Sequence, residues 1–592
     1  MSPFPPRPCL IVALLVAGFG LPAGAQAAGG PVVSTAPGRI AFPVGDGSVA
    51  KTVDAGGATF ATALPDGSAL LFGGSGAAGR GGPYVAKIDL RGALDRSFGT
   101  DGVSSLPVPA GGPSGAPQVL PQPDGKLLLL RADQPRTAPF EPGPLKVTRL
   151  NADMTLDRSY GIDGTATTGI DRGCCAVLQG DGAVVVAGTT GKVTDPPSVL
   201  APPPNLRWAV TRVTPAGAVD AGFGSGGIAT IPTAGSASAA SVALGLDATI
   251  VTGGQTQSAS GSTSLITRLT SGGAPDPSFA GGAPAALPFS SGGLMLVGSD
   301  GSVVLNGARR EGAATGPIPP PRRQFLTRYT SAGAPDPAFG SGGFVDLGTE
   351  IEPSQLLPAA AGSVLVVGAP AFTLAPGSRP TPGRLNGRLV AADGALVGGP
   401  QGRDVNLPFG GGGSSFLVSV LPRPVASLLQ NSFVGNRLVP RPDGSYLVTG
   451  GVSVSQPTGE GTGFSIGRFA VAALTPSFGL DPAFGGPATP PRLSVRLTPQ
   501  RARTARTRHG IRIVLKASAV GLMRVRIKRG DRVIADSLLP IFKTTPHTLP
   551  VELTRYGDAY LRGRRNVRVS ITATARDLLT STATTAARGR LR

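Results

Sequence analysis

Short apolar runs alternate with tight, glycine-containing turns along most of this chain, and the arrangement returns about every sixty residues. Each unit begins with an apolar run and a turn, most clearly at Asp66-Gly67, Asp124-Gly125 and Asp443-Gly444. Asp-Gly between two apolar runs predicts a β-hairpin, because glycine accepts the positive φ of a two-residue turn. A second strand, a connection of variable length and a third strand, typified by residues 145–150, follow. The pattern predicts an all-β repeat fold.

Each unit ends on an aspartate followed three residues later by an aromatic residue, first at residues 95–99. The aromatic recurs at steps of 62, 63, 56, 60 and 145 residues, at Phe98, Tyr160, Phe223, Phe279, Phe339 and Phe484. The last gap holds two units, and the copy at residues 392–398 keeps the turn but lacks the aromatic. We interpret the aromatic as packing between units and the aspartate as accepting hydrogen bonds in its own turn.

Three strands before this motif and one after it give four strands per unit. Seven such units predict a seven-bladed β-propeller of four-stranded blades over residues 39–488. Residues 39–44 form a lone apolar segment similar to the strands that follow the motif. We therefore expect this N-terminal segment to complete the seventh blade.

The second unit pairs Gln-Pro-Asp-Gly-Lys at residues 122–126 with Arg-Leu-Asn-Ala-Asp-x-x-Leu-Asp-x-x-Tyr-Gly at residues 149–161. This pairing resembles the delta-60 repeat family of secreted, propeller-like bacterial proteins. The resemblance covers about residues 60–488. It implies an architecture and export from the cell, and it carries no assigned chemistry.

The N-terminus has the parts of a secretory signal peptide, with Arg7, an apolar run at residues 9–21 and a cleavage signal near Ala27. The apolar run is too short to span a bilayer. We therefore expect residues 1–27 to be removed and residues 28–38 to form a flexible lead. The predicted protein is secreted or associated with the cell envelope and has no transmembrane anchor.

Residues 489–592 differ from the repeats in pattern and in charge. Apolar positions alternate with polar or basic ones, as at residues 567–575, which predicts an immunoglobulin-like β-sandwich. The full chain carries 54 Lys+Arg and 34 Asp+Glu. Residues 492–592 hold 23 and 5 of these, a net charge of +18, which leaves 31 and 29, or +2, for residues 1–491. The positive charge therefore belongs to the C-terminal domain.

Two segments of this domain are basic enough to hold a polyanion by counterion release: Arg501, Arg503, Arg506 and Arg508, and Arg562, Arg564 and Arg565. For an exported protein we expect an anionic envelope polymer rather than a specific nucleic acid. The alternative is a solvated arginine face, which a half-exposed sandwich shows without binding anything.

The sequence offers few residues of the kinds that catalyse reactions. Both histidines, His509 and His547, lie in the C-terminal domain, so residues 1–491 lack the usual general base and metal ligand. Glu350 and Glu352 are the best carboxylate pair, because residues two apart on a strand point the same way. No second catalytic group is identifiable. Residues 74–79 match a dinucleotide fingerprint but precede a predicted strand rather than a helix, so no cofactor or metal is expected.

These observations favour a monomeric, non-catalytic binding or scaffold protein whose partner is an unknown protein, glycan or envelope polymer. A carboxylate-based polysaccharide hydrolase or lyase is the alternative. Four insertions, at residues 131–144, 191–207, 309–323 and 370–384, follow second strands. If both kinds of turn share one face of the ring, the insertions lie on the other. Insertions on one face often mark the binding face, although surface slack would look the same.

Cys174 and Cys175 are the two cysteines that remain after the predicted cleavage. A vicinal disulfide is one interpretation. We favour the other, in which both are small apolar residues at the start of a strand, because free cysteine behaves as a buried hydrophobe.

Overall fold

The computed structural model describes residues 34–36, 39–42, 58–73, 84–100, 102–106, 118–132, 144–191, 206–258, 261–310, 322–370, 386–397, 430–457, 463–477, 479–486, 490–518, 521–541, 546–577 and 582–592. Over these ranges the chain is almost entirely β, as predicted. The predicted signal peptide, the glycine-rich residues 74–79 and most of the four insertions lie outside the described residues.

Two short strands open the described chain, β1 (Ser34–Ala36) and β2 (Arg39–Phe42). They pair in antiparallel register with Ala36 opposite Arg39. The interpretation of residues 28–38 as a flexible lead is therefore wrong for β1, because the backbone of this segment pairs with its neighbour.

Six four-stranded sheets follow, each built from consecutive antiparallel strands. The first and second contain β3 (Ala58–Ala63), β4 (Ala69–Gly73), β5 (Tyr84–Ile88) and β6 (Val103–Ser105), then β7 (Gln118–Pro121), β8 (Leu127–Ala132), β9 (Leu145–Leu150) and β10 (Thr165–Thr167). The third and fourth contain β11 (Arg172–Leu178), β12 (Val184–Thr190), β13 (Arg207–Val213) and β14 (Ile228–Thr230), then β15 (Ser236–Leu244), β16 (Ile250–Ser258), β17 (Gly261–Leu269) and β18 (Ala285–Ala286).

The fifth and sixth sheets contain β19 (Ser290–Val297), β20 (Val303–Arg310), β21 (Arg322–Tyr329) and β22 (Phe344–Gly348), then β23 (Ile351–Pro358), β24 (Val364–Pro370), β25 (Asn386–Val390) and β26 (Leu396–Val397). Short 3-10 turns lie at Leu246–Ala248, Ala280–Gly282 and Ala360–Gly362.

The seventh sheet combines the two ends of this region. Its strands run in the order β1, β2, β29 (Gly463–Leu474), β28 (Tyr446–Pro457) and β27 (Gln430–Pro440). β2 pairs antiparallel with β29, with Ile40 opposite Val471. The N-terminal segment therefore supplies strands to the last sheet.

Adjacent sheets pack face to face through separate apolar clusters. The first strands of the seven sheets contact one another in succession, and β27 in turn contacts β3. The cluster between the first and seventh sheets includes Leu71, Leu447 and Phe484, all buried. The sixth sheet is joined to the seventh by Gln355, whose side-chain amide exchanges two hydrogen bonds with the backbone of Leu438.

The C-terminal region forms two more sheets around its own core. One contains β30 (Leu493–Leu497), β31 (Gly510–Ala517) and β34 (His547–Glu552), and the other β32 (Gly521–Arg529), β33 (Arg532–Ile541), β35 (Val567–Asp577) and β36 (Thr582–Leu591). Alternate residues of β35 are buried, as predicted, at Val567, Val569, Ile571, Ala573 and Ala575.

Two short helices, α1 (Ala502–Thr507) and α2 (Arg555–Tyr560), lie beside these sheets. Across the part of the chain that the structure describes, no helix has the length and apolar character needed to cross a membrane.

Candidate functional site

The repeated motif joins neighbouring sheets. In the second sheet, Arg149 Nε donates to Asp157 Oδ2 at 2.8 Å, and the guanidinium carbon lies 4.6 Å from the ring centre of Tyr160. A second nitrogen, Nη1, crosses to the carbonyl of Pro215 in the third sheet at 2.8 Å. The Gly161 amide donates to Ala216 O of the same turn. We call the aspartate, the aromatic and the arginine eight residues before the aspartate the inter-sheet latch.

The latch recurs with the same spacing and the same partners in the next three sheets. Its arginines are Arg212, Arg268 and Arg328, and each pairs with the motif aspartate, lies over the aromatic ring and donates to a carbonyl of the next sheet. Sequence reasoning missed the arginine, although its fixed spacing from the aspartate was present as a signal.

The first and last sheets vary this arrangement. In the first, Lys87 replaces the arginine and lies 3.2 Å from Asp95. In the last, Ala473 stands at the arginine position, since its carbonyl accepts from the Asp481 amide. Arg441, in the turn after β27, makes the contacts that the latch arginine makes in the other sheets. It lies over the Phe484 ring at 5.7 Å and donates to Leu90 O of the first sheet at 2.9 Å.

The pKa shifts of the latch residues are those of groups with a structural role rather than of groups that transfer protons. Hydrogen bonds from Lys126 and Ser159 hold the pKa of Asp157 well below its usual range. The hydrogen bond from Arg212 lowers the pKa of Asp220 in the same way. Burial raises the pKa of Tyr160 to about 12. At neutral pH these aspartates are therefore ionised and the tyrosine is neutral, so none is poised to exchange a proton.

A β-bulge on the first strand explains a glycine in the second strand opposite, as at Gly188 and Gly368. In the third sheet the register shifts between Gly173 and Cys175, and Gly173 pairs with Gly188. A Cβ atom on Gly188 would lie 2.3 Å from Arg172 O. The sixth sheet repeats this geometry, since a Cβ on Gly368 would lie 2.2 Å from the carbonyl oxygen of the strand opposite. Glycine is required because the bulged backbone occupies the space of a side chain.

The two cysteines lie at this bulge and are bonded to each other. Cys174 is exposed and Cys175 is half-buried. The favoured interpretation, two small buried apolar residues, is therefore wrong. The bulge makes Cys174 the extra residue of β11 and removes it from the packed face of the sheet.

The hairpin turns between first and second strands and the turns that follow third strands lie at the same end of the sheets. The prediction that the insertions have a face of their own requires this arrangement. A Cβ atom on Gly125 or Gly182, in the hairpin turns, would contact Ala152 or Pro215, in the turns after third strands. At the opposite end, the amide of Gly191, the residue after β12, donates to the side chain of Asp171, the residue before β11. The insertions leave the sheets from this second end, which we call the loop face.

The predicted carboxylate pair lies where the fifth sheet passes into the sixth. β22 ends at Gly348 (φ +73°) and β23 begins at Ile351, so Glu350 lies in the bend directly before the strand that holds Glu352. Both glutamates are exposed. Glu350 accepts from Arg388 Nη2 at 3.4 Å, and the buried Arg388 also donates to Leu347 O. Glu350 and Arg388 thus stabilise the connection between β22 and β23.

One ion pair links the helices that lie beside the two predicted basic segments: Arg506 Nε, in α1, lies 3.6 Å from Asp558 Oδ1, in α2. The other six predicted arginines are exposed: Arg501, Arg503, Arg508, Arg562, Arg564 and Arg565. We call these six residues the basic surface.

Two tyrosines of α2 support this surface. The rings of Tyr556 and Tyr560 stack with centres 5.7 Å apart. Arg532 lies over Tyr556 at 5.1 Å and Arg564 over Tyr560 at 4.3 Å. Stacking fixes the orientation of a guanidinium group while its N–H donors stay available at the edge.

No three His, Cys, Asp or Glu side chains come together as a metal site would require, within the described ranges. The residues of the basic surface suit an anionic ligand instead.

Comparison with known proteins supports the fold class. A family model described as "Domain of unknown function (DUF5122) beta-propeller" matches residues 247–279. No curated protein is significantly similar to this chain. The chain is thus a β-propeller-like repeat protein.

Several solved structures are similar at low identity. The polysaccharide lyase Uly1 shares 11% identity over 70% of this chain and 90% of its own, with a TM-score of 0.40. A puromycin-hydrolysing peptidase of Mycobacterium tuberculosis shares 13% over 82% and 61%, with a TM-score of 0.38. The β-propeller domain of Cps50 (Swd1) from Myceliophthora thermophila shares 9% over 72% and 98%, with a TM-score of 0.32. At these scores the similarities support no conclusion about chemistry.

Proposed function

We propose that the chain is an exported, non-catalytic binding or scaffold protein that attaches to an anionic polymer of the cell envelope through the basic surface. In this proposal the seven sheets are the blades of one ring of delta-60-like repeats, and the C-terminal region is an immunoglobulin-like sandwich. The predicted signal peptide is the reason to place the protein outside the cytoplasm.

The observation that carries the proposal is the exposure of six arginines in two basic segments that lie far apart in sequence and whose neighbouring helices are linked by an ion pair. Arg501, Arg503 and Arg508 flank or belong to α1, whereas Arg562, Arg564 and Arg565 follow α2. Exposed guanidinium groups that contact a polyanion displace its counterions, and binding gains affinity from their release.

The support for a non-catalytic role comes from the acidic groups. The motif aspartates are engaged in latches, and Glu350 is held by Arg388. These carboxylates stabilise turns and sheet contacts, and a structural role for these residues supports the non-catalytic part of the proposal.

Retention of the full chain on immobilised dextran sulfate tests the attachment. We expect retention that weakens as salt rises, no retention on neutral dextran, and loss of retention when Arg562, Arg564 and Arg565 are changed to glutamine. Retention that ignores salt, or that survives these changes, would overturn the proposal. Depolymerisation of a glycan by the full chain, abolished by Glu350→Gln, would overturn its non-catalytic part.

A further inference from the structure

A groove of about 510 Å³ opens between the fourth and fifth sheets, and it lies on the loop face. One wall is the start of β17 at Ser262 and Thr263, and the other is the end of β20 with the start of β21. The floor is apolar, since Leu287 and Phe289 are buried beneath it. The volume falls within the range of small-molecule sites and exceeds what a single ion needs.

Two arginines face each other across the strands that form one wall. Arg310 and Arg322 are cross-strand partners in the antiparallel pair of β20 and β21, so their side chains leave the same face of the sheet. Like charges directly opposite each other destabilise a sheet. A neighbouring pair, Arg309 and Arg323, repeats the arrangement on the other face, and there Asp346 neutralises Arg323.

Arg310 and Arg322 line the groove at the end of the sheet and have no such partner in the part of the chain that the structure describes. Among the described residues, no carboxylate lies within ion-pair distance of Arg310 or Arg322, and both are exposed. Arg309 also lines the groove and is held over the Phe325 ring at 5.6 Å. Among the residues that the structure describes, the lining contains no acidic side chain. A bound anion would neutralise these arginines.

The geometry points to a binding site for an acidic saccharide, a short oligosaccharide that carries hexuronate carboxylates. Paired guanidinium groups bind a carboxylate through parallel N–H donors. The hydroxyl groups of Ser262, Thr263 and Ser290 on the lining suit the sugar hydroxyls, which a simple anion lacks. This site lies on the propeller-like region and is separate from the basic surface.

Isothermal titration of the full chain with a trimer of galacturonic acid tests the site, and the methyl-esterified trimer is its uncharged match. We expect binding of the acid form only. Arg310→Gln and Arg322→Gln should each weaken it about tenfold or more, the usual consequence of losing a hydrogen bond between charged groups. Equal binding of the esterified trimer, or no binding of the acid form, would overturn the proposal.

Two controls separate this site from the attachment surface and from folding. The Arg562, Arg564 and Arg565 glutamine variant should bind the trimer unchanged, while Arg310→Gln should still be retained on dextran sulfate. Without ligand, Arg310→Gln should melt no lower than the parent, because it removes a repulsive pair. Loss of trimer binding in the first variant, or a lower melting temperature in the second, would contradict the assignment.

Discussion

Gly217 of the third sheet lies so close to Gly161 of the second that a Cβ atom on Gly217 would stand 2.4 Å from the Gly161 amide nitrogen. The side chain of Tyr160 packs in the same place, 3.0 Å from that Cβ position. The aromatic of the latch therefore packs against a backbone position that only glycine can fill. Equivalent contacts join Phe223 to Gly273 and Phe279 to Gly333.

This contact predicts a large effect of one methyl group. Gly217→Ala should destabilise the protein by about 3 kcal/mol or more, because a left-handed φ and a backbone clash both oppose it. Gly226 is the matched control, with φ +61° and no atom within 4 Å of its Cβ position. Gly226→Ala should cost only about 1 kcal/mol. Thermal unfolding followed by calorimetry measures both. Equal losses would mean that the two sheets do not meet at Gly217.

The latch arginine predicts a second difference. Arg212→Ala removes the ion pair with Asp220, the contact with Phe223 and a bond to the next sheet, and we expect a loss of about 2–4 kcal/mol. Arg158 is a suitable control, since it pairs with Asp163 while both side chains remain 76% exposed. Arg158→Ala should change stability by less than about 0.5 kcal/mol. An equally small loss of stability in Arg212→Ala would show that the latch contributes little to the free energy of unfolding.

The latch aspartates predict the pH dependence of stability. The pKa values of Asp157 and Asp220 are lowered in the folded chain, so their stabilisation is complete above the unfolded pKa of about 3.9 and is lost as the pH falls below it. The melting temperature should therefore stay level from pH 7 to about pH 5 and drop below about pH 4. Asp157→Asn should lie below the parent at pH 7 and converge with it in acid. A gap that widened in acid would contradict this sign.

The bonded cysteines give a chemical prediction. After the proposed cleavage near Ala27, the denatured protein should react with a thiol reagent only after reduction, at both Cys174 and Cys175. Because the bond joins adjacent residues, it closes no chain loop, and Cys174→Ala with Cys175→Ala should alter stability by less than about 1 kcal/mol. Mass spectrometry counts the labels. Labelling without reductant would mean that the thiols are free.

Sequence patterns predicted the parts of this fold that local chemistry determines. Asp-Gly turns and the spacing of Asp157 and Tyr160 depend on neighbouring residues, and they could be interpreted without a partner strand. The bulge could not, because the reason for Gly188 lies on the strand opposite. The cysteine bond was missed for the same cause: exposure at the bulge follows from pairing rather than from the apolar character of the residues.

The candidate sites were predictable to different degrees. The arginines of the basic surface could be recognised by their density in the sequence, whereas the ion pair between Arg506 and Asp558 that links α1 to α2 could not. The groove was invisible in the sequence, since Arg310 and Arg322 flank an insertion and become neighbours only through strand register.

The salt dependence of polymer binding tests the central claim most directly. The affinity of the full chain for dextran sulfate should fall linearly on a plot of log K against log salt. Changing all six arginines of the basic surface to glutamine should flatten this slope and weaken binding by roughly 1 kcal/mol per arginine at low salt. Arg310→Gln should leave the slope of the parent nearly intact. A parent slope near zero, or a slope that survives in the six-residue variant, would contradict attachment through this surface.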